Sequence, residues 1–397
     1  MWEEYVSELK LSESEKAAVK ISSAPKDQRC PYFLSCGGCQ LLNWDYSKQL
    51  AWKKKELEKL FYREVDVLGS IQHTAYRHKN SFSYKTQKYI TTGGFYKANS
   101  KTLIPVEHCL IQHPKAELIF LSLLKIMKEN RIEAFDDGRQ TGVIRHAVIR
   151  ISESTQDIML ILVTGLSPYP GRKNFMAAIR KKHPEITTII ENLQVEASPY
   201  LLGNQEEVMF GKGIIIDELL GHQFYMTSRS FFQVHPLQAE VLFKEILAHA
   251  DLRKTDTLAD VYAGVGVIGL LMARQVSKVY SVESNLDSVQ LAKKNAELNQ
   301  IANLKFVRQD ATEWLAQMNE PLDVVVMDPP REGATEKFMR RLKEKAPRQI
   351  IYISCNPLTQ KRDLEVLEST YTLVKLFGVD LFPQTVHLES VALLTRK

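Results

Sequence analysis

Apolar positions along the chain follow three rhythms. Over residues 42–64, Leu50, Leu57, Leu60 and Phe61 recur at helical spacing. Between residues 74 and 203 short alternating runs dominate, with strands expected at 81–84, 142–151 and 158–164 and helices at 116–130 and 172–183. Beyond residue 231 a helix is expected to about residue 250. Strands at 257–262, 279–282, 304–308 and 324–327 then alternate with helices. Ile350-Ile351-Tyr352-Ile353 predicts a further buried strand, stopped by Asn356-Pro357. Alternation of this kind builds an α/β sheet, and such sheets place their chemistry at the carboxyl ends of the strands. Residues 1–23 form a helix-prone extension, and no internal repeat or low-complexity linker interrupts the rest.

That rule singles out Cys355, which follows the strand at 350–353. A thiolate is the strongest side-chain nucleophile near neutral pH, so Cys355 is a candidate for covalent catalysis, with a buried structural thiol as the alternative. The other cysteines are 30, 36, 39 and 109. Cys30, Cys36 and Cys39 stand at C-x5-C-x2-C around two glycines, a loop of soft ligands that can wrap closely. Zinc would call for a second C-x2-C pair, which is absent. An iron–sulfur cluster takes four thiolates and can draw one from a distant loop. Cys109 is the candidate once Cys355 is set aside, and four unligated thiols are the alternative.

Composition adds a location. The net charge is +5, and residues 231–397 carry 21 basic and 21 acidic side chains, so the whole excess lies in 1–230. Residues 67–106 hold no acid at all, but include Arg77, Lys79, Lys85, Lys88, Lys97 and Lys101 interleaved with Tyr76, Phe82, Tyr84, Tyr89, Phe95 and Tyr96. Cations that neutralise phosphates beside aromatics that stack on bases suit single-stranded RNA, although part of this aromatic set is expected in the core. Arg145 and Arg150, on one strand, are either cations of a shared face or members of salt bridges. The Lys53-Lys54-Lys55 run reads as a solvated helix face. No apolar run is long enough to span a bilayer and the polar, acidic N-terminus is no signal peptide, so a cytoplasmic protein without membrane contact is expected.

After the strand at 257–262 comes Ala263-Gly264-Val265-Gly266-Val267-Ile268-Gly269, and the next strand ends at Glu283. Glycines allow a sharp turn and close backbone approach at a helix N-terminus, while an acid about twenty residues on can hold ribose hydroxyls. This spacing fits nicotinamide and S-adenosylmethionine enzymes alike. Two more strands end at acids: Asp310, suited to an adenine amino group, and Asp328 in the rigid turn Asp328-Pro329-Pro330-Arg331. Acids after successive strands favour a class I methyltransferase over a dehydrogenase. With Arg331 where amino-nitrogen methyltransferases commonly carry an aromatic, base-nitrogen methylation is disfavoured. Arg331 itself contacts RNA or forms a structural ion pair.

Together Ser354-Cys355-Asn356-Pro357, Asp328-Pro329-Pro330-Arg331-Glu332-Gly333, Phe231-Phe232-Gln233-Val234, His387-Leu388-Glu389-Ser390 and the C-x5-C-x2-C loop resemble the bacterial RNA (uracil-5-)-methyltransferases. These enzymes make 5-methyluridine in 23S ribosomal RNA or in the tRNA T-loop. The resemblance runs from about residue 26 to 397. It implies a [4Fe–4S] cluster on Cys30, Cys36, Cys39 and Cys109, which marks the ribosomal branch more than the tRNA branch. It also implies that S-adenosylmethionine meets Gln233, Tyr262, Glu283 and Asp328, with Gly264, Gly266 and Asp310 in the same cleft. The sequence departs from the family at Ala263, where cysteine is usual, at Val267, and at His78 and His235, where asparagine is common. An N-terminal RNA-binding β-barrel (the TRAM barrel of some members) is expected to be missing.

The implied chemistry suits the residues. Carbon 5 of uracil is a poor nucleophile until a thiolate adds at carbon 6, the role of Cys355. Glu389 would then remove the carbon 5 proton, its pKa raised by burial, while His387 positions or packs. The uridine would be flipped into a water-excluding pocket. The expected organisation is an extension at 1–23, an iron–sulfur loop with a central α+β RNA-binding domain at 24–230, and a Rossmann-like class I methyltransferase domain at 231–397. The helical segment 42–73 is expected against the catalytic domain. A monomer acting on 23S rRNA is expected, with tRNA second. An iron–sulfur RNA-binding redox or sensor protein and a noncatalytic RNA-binding module are the readings from other classes.

Overall fold

A computed structural model describes residues 30–397 apart from residues 89, 98, 99, 101, 197 and 199. The extension expected over residues 1–23 lies outside the described residues, as do Tyr89 and Lys101. The chain divides into two units. The first holds the described residues up to 43, with 72–217 and 226–234; the second holds 44–71, 218–225 and 235–397. Among the described residues no helix is long and apolar enough to cross a membrane.

A short helix α1 (Phe33–Cys36) in the first unit is followed by α2 (Tyr46–Phe61) and β1 (Asp66–Leu68), both of the second. The first unit then builds β2 (Lys79–Gln87), β3 (Ile90–Tyr96), β4 (Leu103–Pro105), α3 (Pro114–Glu129), β5 (Ile144–Ile151), β6 (Ile158–Thr164), α4 (Arg172–Lys182), β7 (Ile186–Leu193) and β8 (Gln205–Phe210). These strands form one sheet in the order β4-β3-β2-β5-β6-β7-β8. Only β6 and β7 pair in parallel, since α4 supplies the crossover between them. Phe82, Tyr84, Ile149, Leu160 and Leu162 pack with Phe120, Leu123 and Phe175 of α3 and α4, so both helices cover one face.

The aromatic set divides between core and surface as expected, and two other expectations change here. Tyr76, Phe82 and Tyr84 are core residues, whereas Tyr96 is exposed. Arg145 and Arg150 present no solvent face: both are buried, and a bulge between Ile144 and His146 breaks the strand alternation beside Arg145. Arg145 donates to the carbonyls of Gln194 and Val195 and pairs with Asp137, while Arg150 donates to those of Thr227 and Ser230. In the second unit, Lys53 belongs to no solvated face. Its Nζ is fully buried and lies 2.7 Å from Asp380 Oδ1, whose other oxygen accepts from Tyr46 at 3.0 Å.

After a ribbon of β9 (Ile215–Leu219) and β10 (His222–Met226), the second unit continues with α5 (Pro236–His249) and strict alternation. This comprises β11 (Thr257–Val261), α6 (Val267–Ala273), β12 (Lys278–Glu283), α7 (Leu286–Leu298), β13 (Leu304–Arg308), α8 (Ala311–Gln317), β14 (Val324–Met327), α9 (Glu336–Lys345), β15 (Gln349–Ser354), α10 (Pro357–Glu365), β16 (Tyr371–Val379) and β17 (Glu389–Arg396). The eight strands lie in the order β1-β16-β17-β15-β14-β11-β12-β13. All pairings are parallel except the two made by β17. Helices on both faces bury β14 and β15 completely, hence their unbroken apolar runs. Strand order reverses between β11 and β14, and the cleft outside their carboxyl ends is where such sheets bind ligands.

Candidate active site

Cys355 follows β15, and the next two residues start a helix. Asn356 caps α10 by accepting the Leu358 N–H at 3.2 Å, and Pro357 takes the first helical position, where its missing N–H costs nothing. Ser354 braces the turn through its hydroxyl, which accepts the Asn356 N–H at 3.0 Å. The antiparallel β15–β17 register pairs Ser354 with Ser390. Carried one residue further, it sets Cys355 opposite Glu389. Behind this pair Ser390 donates to Gln360 Oε1 at 2.7 Å, and Gln360 donates to the Tyr352 carbonyl at 2.8 Å.

The Asp328-Pro329-Pro330-Arg331 turn is tied to the same helix. The Arg331 carbonyl accepts from Asn356 Nδ2 at 3.1 Å and Thr359 Oγ1 at 3.2 Å. Asp363 Oδ2 receives the Ala334 N–H at 2.8 Å and the Tyr352 hydroxyl at 2.6 Å. Gly333 makes this closeness possible: its φ is +78°, and a Cβ there would stand 2.6 Å from Asp363 Oδ2. The Arg331 guanidinium lies 3.2 Å from His387 Nδ1.

Electrostatics bind these groups into one site. Burial, then the Glu389 carboxylate, pushes the Cys355 thiol up to about 12, with Arg331 opposing and Asp328 reinforcing. Burial and Asp328 raise Glu389 in turn, against Arg331. Asp328 is itself raised by burial.

The glycine loop lies on the other side of the switch point. Tyr262 and Gly264 adopt φ of +63° and +54°, and Gly266, at +82°, opens α6. Glu283 closes β12 and fixes the loop by accepting the Gly264 N–H at 3.0 Å and the Asn285 N–H at 2.8 Å. Asp310 caps α8, with Oδ1 accepting from Thr312 and Glu313 at 2.8 and 3.1 Å. Burial raises the Tyr262 phenol, and Asp310 reinforces this, so the two are neighbours. Asp260 escaped the sequence reading. It accepts the Gly269 N–H at 2.8 Å, leaves Oδ1 without a partner, and is raised to about 7 by burial, with Asp328 and Glu283 adding to this. An acid inside the apolar run of β11 was its signal. Of the expected site residues Tyr262, Gly264, Gly266, Glu283, Asp310, Asp328, Cys355 and Glu389 belong to the second unit, and Gln233 to the first.

The remaining four cysteines also belong to the first unit. Cys39 is raised by burial and then by Cys109, Cys30 and Cys36, so all four thiols lie within electrostatic reach of one another. Burial pushes Cys109 up to about 11 against the backbone N–H groups of Ile111 and Gln112, and Cys36 is raised against that of Gly38. Amides aimed at sulfur favour thiolates. Glu117 holds the Cys109 backbone N–H at 2.6 Å. Among the described residues no three His, Cys, Asp or Glu side chains converge on a single metal ion. A [4Fe–4S] cube, with iron and sulfide at alternate corners, asks for wider spacing, because every thiolate binds its own iron. The thiols and amide donors fit that group.

An eight-stranded sheet with one antiparallel strand, a glycine loop after β11 and acids closing β12 and β14 defines a class I methyltransferase fold. The profile of the tRNA (Uracil-5-)-methyltransferase family matches residues 221–397. An uncharacterized RNA methyltransferase of Staphylococcus aureus is 35% identical over 381 residues, covering 93% of this chain and 84% of that protein. One from Halalkalibacterium halodurans is 34% identical, covering 93% and 83%. Among solved structures, the Pyrococcus abyssi tRNA (uracil-54, C5)-methyltransferase in complex with S-adenosyl-L-homocysteine superposes with a TM-score of 0.78 at 26% identity, covering 90% of this chain and 86% of that one. The chain belongs to the RNA (uracil-5-)-methyltransferase family.

Proposed function

We propose that this enzyme transfers a methyl group from S-adenosylmethionine to carbon 5 of a uridine in 23S ribosomal RNA through a bond between Cys355 and carbon 6. The observation that carries the reading is the strand register setting Cys355 opposite Glu389. We assign catalysis to the second unit, RNA recognition and the cysteine quartet to the first, and the cytoplasm as the place where both meet RNA.

S-adenosylmethionine supplies the methyl as an electrophile and brings a positive sulfonium. We assign its binding to Tyr262, Gly264, Gly266, Glu283, Asp310 and Asp328. Burial, Glu389 and Asp328 raise the Cys355 thiol, and burial and Asp328 raise Glu389, so a cation beside them favours proton loss from both. The Cys355 thiolate adds to carbon 6, sending the ring's electron pair onto the carbon 4 oxygen. Carbon 5 then takes the methyl, with both partners held in line. Glu389 removes the carbon 5 proton, the carbon 5–carbon 6 double bond returns and the thiolate leaves. Arg331 offsets negative charge near Cys355 and Glu389.

We further propose a [4Fe–4S] cluster on Cys30, Cys36, Cys39 and Cys109. When bound it supplies a cross-link between the N-terminal loop and the Cys109 loop. The quartet also favours ribosomal RNA, following the family branch it resembles. A tRNA substrate is the second reading, supported by the name of the Pyrococcus neighbour.

Incubation with labelled S-adenosylmethionine and unmodified 23S rRNA or tRNA tests the substrate: label in neither rejects the reading, and label in tRNA alone replaces it with the second. RNA carrying 5-fluorouridine should trap a covalent adduct, since no proton can leave carbon 5. No adduct with active enzyme rejects the covalent path.

A further inference from the structure

The sheet of the first unit has one face packed on α3 and α4; on its other face Val148, Met159 and Ile161 of β5 and β6 are fully buried, whereas the β2–β3 margin reaches solvent and carries cations. Alternation along β2 turns Phe82 and Tyr84 to the helices and Lys79, Ser81, Ser83 and Lys85 away from them. Register sets Arg150 of β5 beside Lys79, and Thr92 of β3 beside Lys85. Tyr96, four residues beyond Thr92, shares this helix-free face and is 44% exposed.

Lys79 is half-buried, and among the described residues its ammonium meets no carboxylate and no hydrogen-bond acceptor. Its neighbours make matters worse. Arg150 spends its guanidinium on the carbonyls of Thr227 and Ser230, and Arg77 donates Nε to the Lys79 carbonyl at 3.3 Å. Burial, then Arg150 and Arg77, lowers the Lys79 pKa to about 8. Asp217 acts on Arg150, but the charges that reach Lys79 are Arg150 and Arg77, so the trio stays net positive around it and an anion there recovers folding free energy. Continuing the β2–β3 register brings Tyr96 beside Ser81, roughly 8 Å from Lys79 by strand spacing. That is the scale of one nucleotide, phosphate to base.

We propose that the substrate RNA strand lies along the β2–β3 margin of this face, with Lys79 and Arg77 holding a backbone phosphate and Tyr96 stacking on an adjacent unpaired base. The inference rests on RNA being the substrate and adds where and by what it is gripped. Charge complementarity selects the occupant: a polyanion relieves the trio, and an aromatic beside it favours one with exposed bases over an acidic peptide.

The test is equilibrium binding of an unmodified 23S rRNA transcript to the full-length protein across a salt series, comparing wild type with Lys79→Met, Lys79→Arg and Tyr96→Ala. Lys79→Met should weaken binding by about tenfold and flatten the log–log salt slope by about 0.7–0.9, the signature of one lost phosphate contact. Lys79→Arg should restore affinity and slope, whereas Tyr96→Ala should lose affinity at unchanged slope. S-adenosylmethionine affinity should stay at wild-type level throughout, and Lys79→Met should melt no lower than wild type, as removing an unpaired charge predicts. Unchanged affinity and slope in Lys79→Met would assign the lysine to structure and overturn the proposal. So would lost affinity with the slope intact. Wild type that methylates RNA through a Lys79-independent contact leaves the uridine reading standing; wild type that binds no RNA removes both.

Discussion

Two thiol environments occupy this molecule, and burial raises proton affinity in each. Around Cys355 the neighbours are carboxylates: Glu389 across the strand pair and Asp328 at the next strand end. Around Cys39 and Cys109 they are other thiols, with peptide N–H groups directed at Cys36 and Cys109. Neither set ionises readily by itself. Each awaits a positive charge, and the surroundings decide what kind. A lone thiol among carboxylates suits a passing cation and a bond that must break again; four thiols with amide donors suit a resident metal.

The sharpest way to break this contrast is Cys355→Ala. Methylation should fall by about four orders of magnitude or more, as loss of a covalent nucleophile implies, while iron content stays at the wild-type level. Retained activity measured with labelled donor would end the comparison. Glu389→Gln should slow turnover by roughly 10²–10⁴ and accumulate a protein–RNA adduct visible on a denaturing gel. Cys109→Ser should abolish bound iron and visible absorption and lower Tm by roughly 5–10 °C, the shift expected for about 3 kcal/mol in a unit of this size. Donor affinity should persist. Equal iron in Cys109→Ser would remove the fourth ligand.

The smallest effect separates the environments by pH. Glu389 moves from 4.5 to about 8 and Asp260 from 3.8 to about 7, so the folded form holds protons that the unfolded chain has released. Stability without donor should therefore decline as pH climbs from about 4.5 toward 8, while turnover rises over the upper part of that range as Glu389 becomes a base. Iron uptake should improve with rising pH, because thiols must lose protons to bind. Melting curves and iron titrations at pH 6 and 8.5 should run in opposite directions.

Most of the second unit's sheet was legible because its parallel strands are buried on both faces and write themselves as apolar runs. The Asn356-Pro357 stop was legible for the same local reason, though it is a helix start as much as a strand end. Pairing was not. That Glu389 returns opposite Cys355 depends on β17 entering antiparallel beside β15, which no local pattern specifies. Lys53 misled because its periodicity fits either face of α2 and its partner is distant in sequence. In the acid-free stretch alternation sent Phe82 and Tyr84 inward and left Lys79 half-buried and Tyr96 exposed. For Arg145 the salt-bridge alternative holds through Asp137, while Arg150 is buried against backbone carbonyls.

The buried contact between Lys53 and Asp380 has a consequence for the newborn chain. Their positions differ by 327, so at about 5–20 residues per second the ribosome makes the ammonium roughly 15–65 seconds before its counter-ion. Through that interval α2 must keep its charge in water, and β1 has no β16 to join. The first unit, complete by residue 234, is free to fold during translation, while the earliest helix of the second waits for nearly the last turn the ribosome delivers.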